Sequence, residues 1–304
     1  MCTARPVLGS RTQPGASQRC TGTLAEGASI MATEQLKGWR RVASAMWPAP
    51  NDPQIYGQLD IDAGPVLAFI EAARRAGHHL TPTHLVGRAL TCALEAVPEL
   101  NVRIVGSRSY PRTSIELFFI TALFLPNPDL SGVKVDAARC TALQLASELE
   151  RGALRLRAGS DREFARSKRM MDALPPVLLR AALRGSALLT ERFQWDIPAL
   201  ALHKSPFGSA IISSVGSLGL PHGFAPLSWL YDVPLLLLVG EISEQPAVVE
   251  GRVVARPMLP LSVTIDHRYV DGSHISRAVK GLRKYLAAPE AQEPGFEVRT
   301  QPLL

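Results

Sequence analysis

A histidine four residues ahead of an aspartate, where an apolar run gives way to a helical pattern, is the arrangement in this chain best suited to moving a proton. Residues 266–272 read Asp-His-Arg-Tyr-Val-Asp-Gly. The run before them, Leu261-Ser262-Val263-Thr264-Ile265, has the content of a buried strand, and residues 275–286 repeat apolar side chains at helical spacing. His267 therefore falls at a strand-to-helix corner, where its ring can be held while one edge faces a channel. An unperturbed imidazole titrates close to neutral pH and can take and return a proton. Asp271 organises the corner in this reading, Asp266 binds backbone there, and Gly272 gives the turn its backbone freedom. Taken without its flanks, His267 reads equally well as a surface histidine or a satisfied core histidine.

Such a corner needs a scaffold, and composition bounds it. The chain has 304 residues, room for one large domain or two small ones. With 46% hydrophobic residues it can bury a sizeable core. No apolar stretch approaches the roughly 18 residues that a membrane span needs. The longest run, residues 234–239, reads as a buried strand. The formal net charge is +6. It reads as a solvated basic surface or as attraction for an anionic partner, such as coenzyme A phosphates or an acidic carrier domain. Nucleic acid is not expected, because the basic residues are scattered and no stacking or zinc motif accompanies them. Cys2, Cys20, Cys92 and Cys140 form no C-x-x-C pair. That usage fits a reducing cytoplasm, with Cys92 and Cys140 as small buried residues in helical patterns. His78, His79, His84, His203, His222 and His274 show no metal-ligand spacing, so no metal is expected.

Along the chain, residues 1–33 are rich in small and polar residues and carry one acid, Glu26. They read as a disordered extension, as an organelle-targeting segment lacking an amphipathic face, or as sequence upstream of a true start at Met31. Regular patterning begins near Leu36. Residues 39–46 form a short helix candidate and 55–61 alternate like a strand. Asp62 is placed to cap the helix containing Val66, Phe69, Ile70 and Ala73. Thr81-Pro82 opens a second helix with a broad apolar stripe from Leu85 to Val97. Residues 114–125 read as a strand and 141–156 as a helix. Residues 208–215, 235–242, 247–254 and 261–265 are further strand candidates. Residues 159–206 interleave apolar residues with Arg169, Arg180, Arg184 and Arg192. They read as an inserted helical pair, with a channel lid or a basic membrane-surface helix over 170–192 as alternatives. Neither a phosphate loop nor a dinucleotide-binding fingerprint is present.

The segment from Pro260 to Gly272 resembles the active-site signature of dihydrolipoamide acyltransferases, the acyltransferase components of 2-oxoacid dehydrogenase complexes. Chloramphenicol acetyltransferase shares their fold and a related motif. The resemblance covers roughly residues 36–288. Residues 40–46, Arg-Arg-Val-Ala-Ser-Ala-Met, are similar to the family's basic opening helix, and residues 84–101 to its long helix and Pro-Glu-x-Asn turn. Residues 209–219 are similar to the strand that carries the family's hydroxyl residue, although Ala210 and Ile211 stand where an aromatic and a threonine are usual.

The resemblance implies an α/β fold of the chloramphenicol-acetyltransferase type, a two-layer sandwich with a mixed sheet. The catalytic domain would span 34–288, with 159–206 inserted and 289–304 a flexible tail. It implies His267 as general base and Ser213 as the oxyanion donor, with Ser214 competing for that role. Asp271 would pair with Arg40 or Arg41, and Gly272 would be a backbone requirement. It also implies a homotrimer in which His267 and Ser213 meet across subunits. The expected activity is transfer of an acyl group between a thioester and a thiol or hydroxyl. Coenzyme A or acyl-CoA would be the substrate, or a lipoyl or phosphopantetheine arm on a separate protein, since no lipoyl domain is recognisable here. The competing readings are direct O- or N-acylation of a small molecule, and a silent trimeric scaffold. A peptide-synthetase condensation domain fits less well, because it favours a second histidine where this chain has Asp266.

Overall fold

The computed structural model describes residues 52–105, 107–123, 129–158, 205–227 and 232–293, together with five isolated positions between 175 and 185. Its frame is a seven-stranded mixed sheet in the order β1-β9-β7-β6-β4-β5, with β8 also paired to β9. The strands are β1 (Gln54–Asp62), β4 (Glu116–Leu123), β5 (Asp129–Asp136), β6 (Ala210–Ser214), β7 (Leu235–Val239), β8 (Ser243–Val249) and β9 (Arg252–Asp266). Two further strands, β2 (Val102–Val105) and β3 (Arg108–Pro111), pair with each other as a small hairpin. β6 lies parallel to β4 and β7, and the remaining pairs are antiparallel. A mixed sheet of this kind buries its central strands on both faces, which is why β7 reads Leu-Leu-Leu-Leu-Val without alternation.

Four helices cover one face: α1 (Gly64–Arg75), α2 (Pro82–Ala96), α3 (Ala142–Arg157) and α4 (Gly272–Ala287). Their apolar stripes meet Leu235, Leu237 and Val239 of β7 and Leu259, Leu261 and Ile265 of β9. Because side chains alternate along a strand, Leu236, Leu238 and Ile211 point to the opposite face. There they form a smaller cluster with Val233, joined by Phe118, Val215, Ala225 and Leu227. Residues 215–227 thus fold back over that face. The return is tight at Gly240, where any Cβ would run into the Pro221 carbonyl.

β9 is the axis of the sheet. Residues 258–266 pair with β1 on one edge, and 261–265 pair with β7 on the other. Residues 252–257 extend further, paired only with β8. Glu250 and Gly251 turn this hairpin with φ of 50° and 77°, the signature of a two-residue loop whose twist matches the strands. Val248 and Val253 on the arm are 72% and 74% exposed.

The two-layer α/β expectation holds, and several boundaries differ. Residues 247–254 are not one strand, because Glu250-Gly251 turns the chain inside that span. Residues 114–125 resolve into β4, and its partner β5 follows with no expectation behind it. The β2–β3 hairpin was also not anticipated. Ala63 rather than Asp62 is the N-cap of α1, although Asp62 Oδ1 accepts from the Gly64 N–H at 2.8 Å. Cys92 and Cys140 are only partly buried, and Cys140 precedes its helix instead of lying in it. The expected flexible tail does not begin at 289: Pro289–Gln292 form a short helix, α5, and Pro289 and Glu293 are buried. Among the described residues no helix is long and apolar enough to cross a membrane. Arg40, Arg41 and nearly all of 159–206 lie outside the described residues.

Candidate active site

β9 ends at Asp266 and α4 begins at Gly272, so His267 occupies the corner that its flanking patterns predict. Its backbone is pinned: the His267 N–H donates to the Pro53 carbonyl at 2.9 Å, and the Asp266 N–H to the Pro234 carbonyl at 2.8 Å. The ring is pinned as well, with Nδ1 2.6 Å from the Val270 carbonyl oxygen. A carbonyl only accepts, so Nδ1 carries the hydrogen, and in the neutral ring the lone pair is then on Nε2. Val270 is buried in the core, which gives that carbonyl a fixed position. His267 is exposed. The result is an oriented imidazole with a basic nitrogen open to a reactant.

Asp266 is buried beside it and is neutralised locally. Arg268 donates to its carboxylate from the backbone N–H at 2.9 Å and from Nε at 3.0 Å. That hydrogen bond holds the Arg268 guanidinium pKa above its ordinary value.

Asp271 has a more specific place than the sequence suggests. It is the N-cap of α4, with Oδ1 accepting from the Ser273 N–H at 2.8 Å and from Ser273 Oγ at 2.7 Å. His274, the third helical residue, adds to the cap: its N–H donates to Asp271 Oδ1 at 3.3 Å, and its Nδ1 lies 2.7 Å from the same oxygen. Hydrogen bonds from Ser273, then from His274, hold the carboxyl well below the usual carboxylate range. Its expected partners, Arg40 and Arg41, lie outside the described residues.

Gly272 corrects an expectation. It is the first residue of α4, it is not among the positive-φ glycines, and a Cβ built on it meets nothing within 4 Å. The backbone here does not require glycine, because an N-capped helix start makes the turn.

Strand alternation separates the two serines of β6. Ser213 shares a face with Ile211 and points away from the helices, whereas Ser214 points to the helix side. Register shows what Ser213 can reach. It pairs with Leu238, which pairs with Ser262, five residues before His267. Two strand spacings and five residues of rise put Ser213 roughly 19 Å from His267. A direct hydrogen bond needs about 3 Å. Within one copy of this chain the two side chains are not brought together.

Residues that the sequence did not flag complete the corner. Tyr269, Asp232, Arg103 and Arg112 form a part-buried polar cluster joined to the corner through Tyr269. Burial pushes the Tyr269 hydroxyl up to about 12 and the Arg112 guanidinium down. The only available signal was Tyr269 itself, an aromatic inside a polar corner. An open depression lined by His78, Arg139, Gln144 and Arg151 contains none of the residues of this corner. Among the described residues no group of His, Cys, Asp and Glu could hold a metal ion.

Residues 200–292 match the family model of the 2-oxoacid dehydrogenases acyltransferase (catalytic domain). The dihydrolipoyllysine-residue acetyltransferase component of pyruvate dehydrogenase complex from Staphylococcus aureus (strain Mu50) is 37% identical over 79 residues, 26% of this chain and 18% of that protein. The Staphylococcus epidermidis (strain ATCC 12228) counterpart aligns to the same extent. The alignment therefore spans under a fifth of the length of these relatives. A probable dihydrolipoamide acetyltransferase from Listeria monocytogenes superposes with a TM-score of 0.57 at 16% identity, covering 88% of this chain and 98% of that one. The cubic core of the pyruvate dehydrogenase multienzyme complex gives 0.56 at 22% identity, covering 79% and 84%. Dihydrolipoamide acetyltransferase from Azotobacter vinelandii gives 0.54 at 24% identity, with the same coverages. Residues 200–292 are thus similar to the acyltransferase catalytic domain, and the fold is like that of dihydrolipoamide acetyltransferase cores.

Proposed function

We propose that this protein is an acyltransferase that moves an acyl group between a thioester and a thiol or hydroxyl, with His267 as general base. The observation that carries the reading is the His267–Val270 contact, which in the neutral ring puts the lone pair on Nε2 of an exposed histidine within the matched 200–292 segment. The attacking thiol gives its proton to His267 Nε2 as its sulfur bonds to the thioester carbonyl carbon. The carbonyl oxygen becomes an oxyanion. Collapse breaks the old C–S bond, and the leaving sulfur takes the proton back from Nε2. Base catalysis of this kind is worth roughly 10²–10⁴-fold.

Ser213 is the proposed donor to the oxyanion, a contact whose loss typically costs about 10²–10³-fold. The roughly 19 Å between it and His267 in one copy makes this role depend on a neighbour. We therefore propose a cyclic assembly, a homotrimer by resemblance, in which His267 of one subunit faces Ser213 of the next. The exposed Val248 and Val253 of the β8–β9 arm supply apolar surface that such packing would cover. The Azotobacter vinelandii structure concerns the roles of a serine, a histidine and an asparagine in that enzyme's mechanism. Ser213, His267 and Asp271 are comparable residue kinds, with an acid in place of the amide.

Coenzyme A thioesters are the proposed small-molecule substrates, and a lipoyl or pantetheine arm on a separate protein is the proposed alternative carrier. The setting is proposed to be cytoplasmic, in keeping with the free thiols of Cys92 and Cys140. The test is transfer from a panel of acyl-CoAs to free dihydrolipoamide, comparing the native protein with His267→Ala. Transfer that disappears in the variant supports the reading. A folded native protein that transfers to neither thiols, alcohols nor amines contradicts it.

A further inference from the structure

Tyr269 lies between His267 and Val270 in the chain, and its side chain joins a part-buried polar cluster. Its hydroxyl donates to Asp232 Oδ1 at 3.4 Å. Arg103 Nε donates to the other oxygen of the same carboxylate, and Arg103 is only 5% exposed. Arg112 Nη2 donates to the Asp232 backbone carbonyl at 2.7 Å. Asp232 has φ of 50°, a conformation that a non-glycine residue holds only when its surroundings over-determine it. Three segments distant in sequence are therefore joined here: the β2–β3 hairpin, the entry to β7 and the His267 corner.

We propose that Arg103, Asp232 and Tyr269 are positioning residues for His267, acting through the Val270 carbonyl that holds the ring. This rests on the reading of His267 as the general base. The corner has two anchors on either side of the peptide that matters. The Val270 side chain is fixed in the core, and Tyr269 is fixed by the cluster. With both in place the Val270 carbonyl points at Nδ1, and a single tautomer follows. With the Tyr269 anchor gone, the 269–270 backbone can rotate and the ring loses its direction. A buried Arg–Asp pair contributes little stability compared with apolar packing of similar volume, so geometry is the better account of its presence. A misplacement of about 1 Å in a catalytic group can cost 10²-fold.

Tyr269→Phe tests this, because it deletes one hydroxyl and leaves the Arg103–Asp232 pair intact. Two readouts are taken: kcat and KM for acyl transfer, and the ¹⁵N shifts of the His267 imidazole in selectively labelled protein. The expected result is a fall in kcat on the order of tenfold at nearly constant KM, with His267 changing from one tautomer to a mixture. A variant with native kcat and an unchanged tautomer overturns the proposal, whatever its melting temperature, since a purely structural clamp moves only the latter. If the native protein transfers no acyl group, the tautomer readout still decides positioning, separately from the proposed activity. Arg103→Lys, which keeps the buried charge and loses the planar fork, is read in the same way should Tyr269→Phe not fold.

Discussion

His267 and Val270 are joined by a 2.6 Å contact from ring Nδ1 to backbone carbonyl, and this contact turns a loop histidine into an oriented base. The same short stretch of backbone presents the carbonyl to the ring and then starts α4 at Gly272. Fixing the helix start therefore fixes the ring. Asp271 contributes by capping that helix. Its side chain is committed to Ser273 and His274, not to His267.

Because Asp271 acts as a cap in this chain, an amide should replace it for that purpose. Asn and Asp are about equally good N-caps, and Ala is much poorer. Asp271→Asn is expected to keep the melting temperature near native, whereas Asp271→Ala lowers it. Gly272→Ala is expected to fold with native stability, since nothing crowds a Cβ there. A sharp loss of stability in Gly272→Ala, measured by thermal melting, would contradict this account of the corner.

Glu293 closes the domain from its C-terminal side. Its carboxylate, nearly fully buried, accepts from Arg88 Nε at 3.3 Å, from the Tyr285 hydroxyl at 2.5 Å and from the Ala142 N–H at 2.7 Å. Glu293→Ala strands a mostly buried guanidinium and an orphan donor at the start of α3. Breaking a buried pair in this way costs about 3–5 kcal/mol. Urea denaturation of the purified variant checks it, and a loss below about 1 kcal/mol would be inconsistent with the latch.

His84 gives the fold a pH dependence of its own. It is the third residue of α2, and its Nδ1 accepts from the Thr81 N–H at 3.2 Å. Burial, with His79 nearby, lowers its pKa from 6.5 to about 4. The folded pKa lies below the unfolded one, so the unfolded state binds the proton more readily. Stability is then fully present above about pH 6.5 and falls as pH drops towards 4, by an amount on the order of 3 kcal/mol. His84→Gln should flatten that part of the acid limb in urea titrations between pH 7 and 4. An acid limb identical to native would reject His84 as its source.

The corner was legible because its signal is local: a strand pattern, a histidine, a helix pattern, in sequence order. The apolar stripe from Leu85 to Val97 was legible for the same reason, its 3.6-residue period surviving burial against the sheet. What was missed depended on distant partners or on backbone angle. β5 contains Gly132 and alternating polar residues, and it is a strand because β4 pairs with it along its whole length. Glu250-Gly251 is a weak turn signal beside four valines, and only its positive φ angles separate β8 from β9. A glycine after a corner suggests backbone strain, and at Gly272 the cap from Asp271 removes the need for it. Ser213 is favoured over Ser214 by position in the resemblance, and strand alternation then places the two on opposite faces. The Arg103–Asp232–Tyr269 cluster joins residues 129 and 37 positions apart, and nothing in the sequence pairs them.

In the proposed assembly His267 and Ser213 act together only across two copies of the chain. Complementation tests it most directly. His267→Ala and Ser213→Ala proteins, each nearly inactive alone, are mixed, dissociated and reassembled at equal amounts, and acyl transfer is assayed. In a ring of like interfaces, random mixing pairs an intact histidine with an intact serine at about a quarter of the sites. Recovery to about that fraction of native activity is the predicted result. No recovery, from mixtures shown to contain both chains in one assembly, would contradict the shared site.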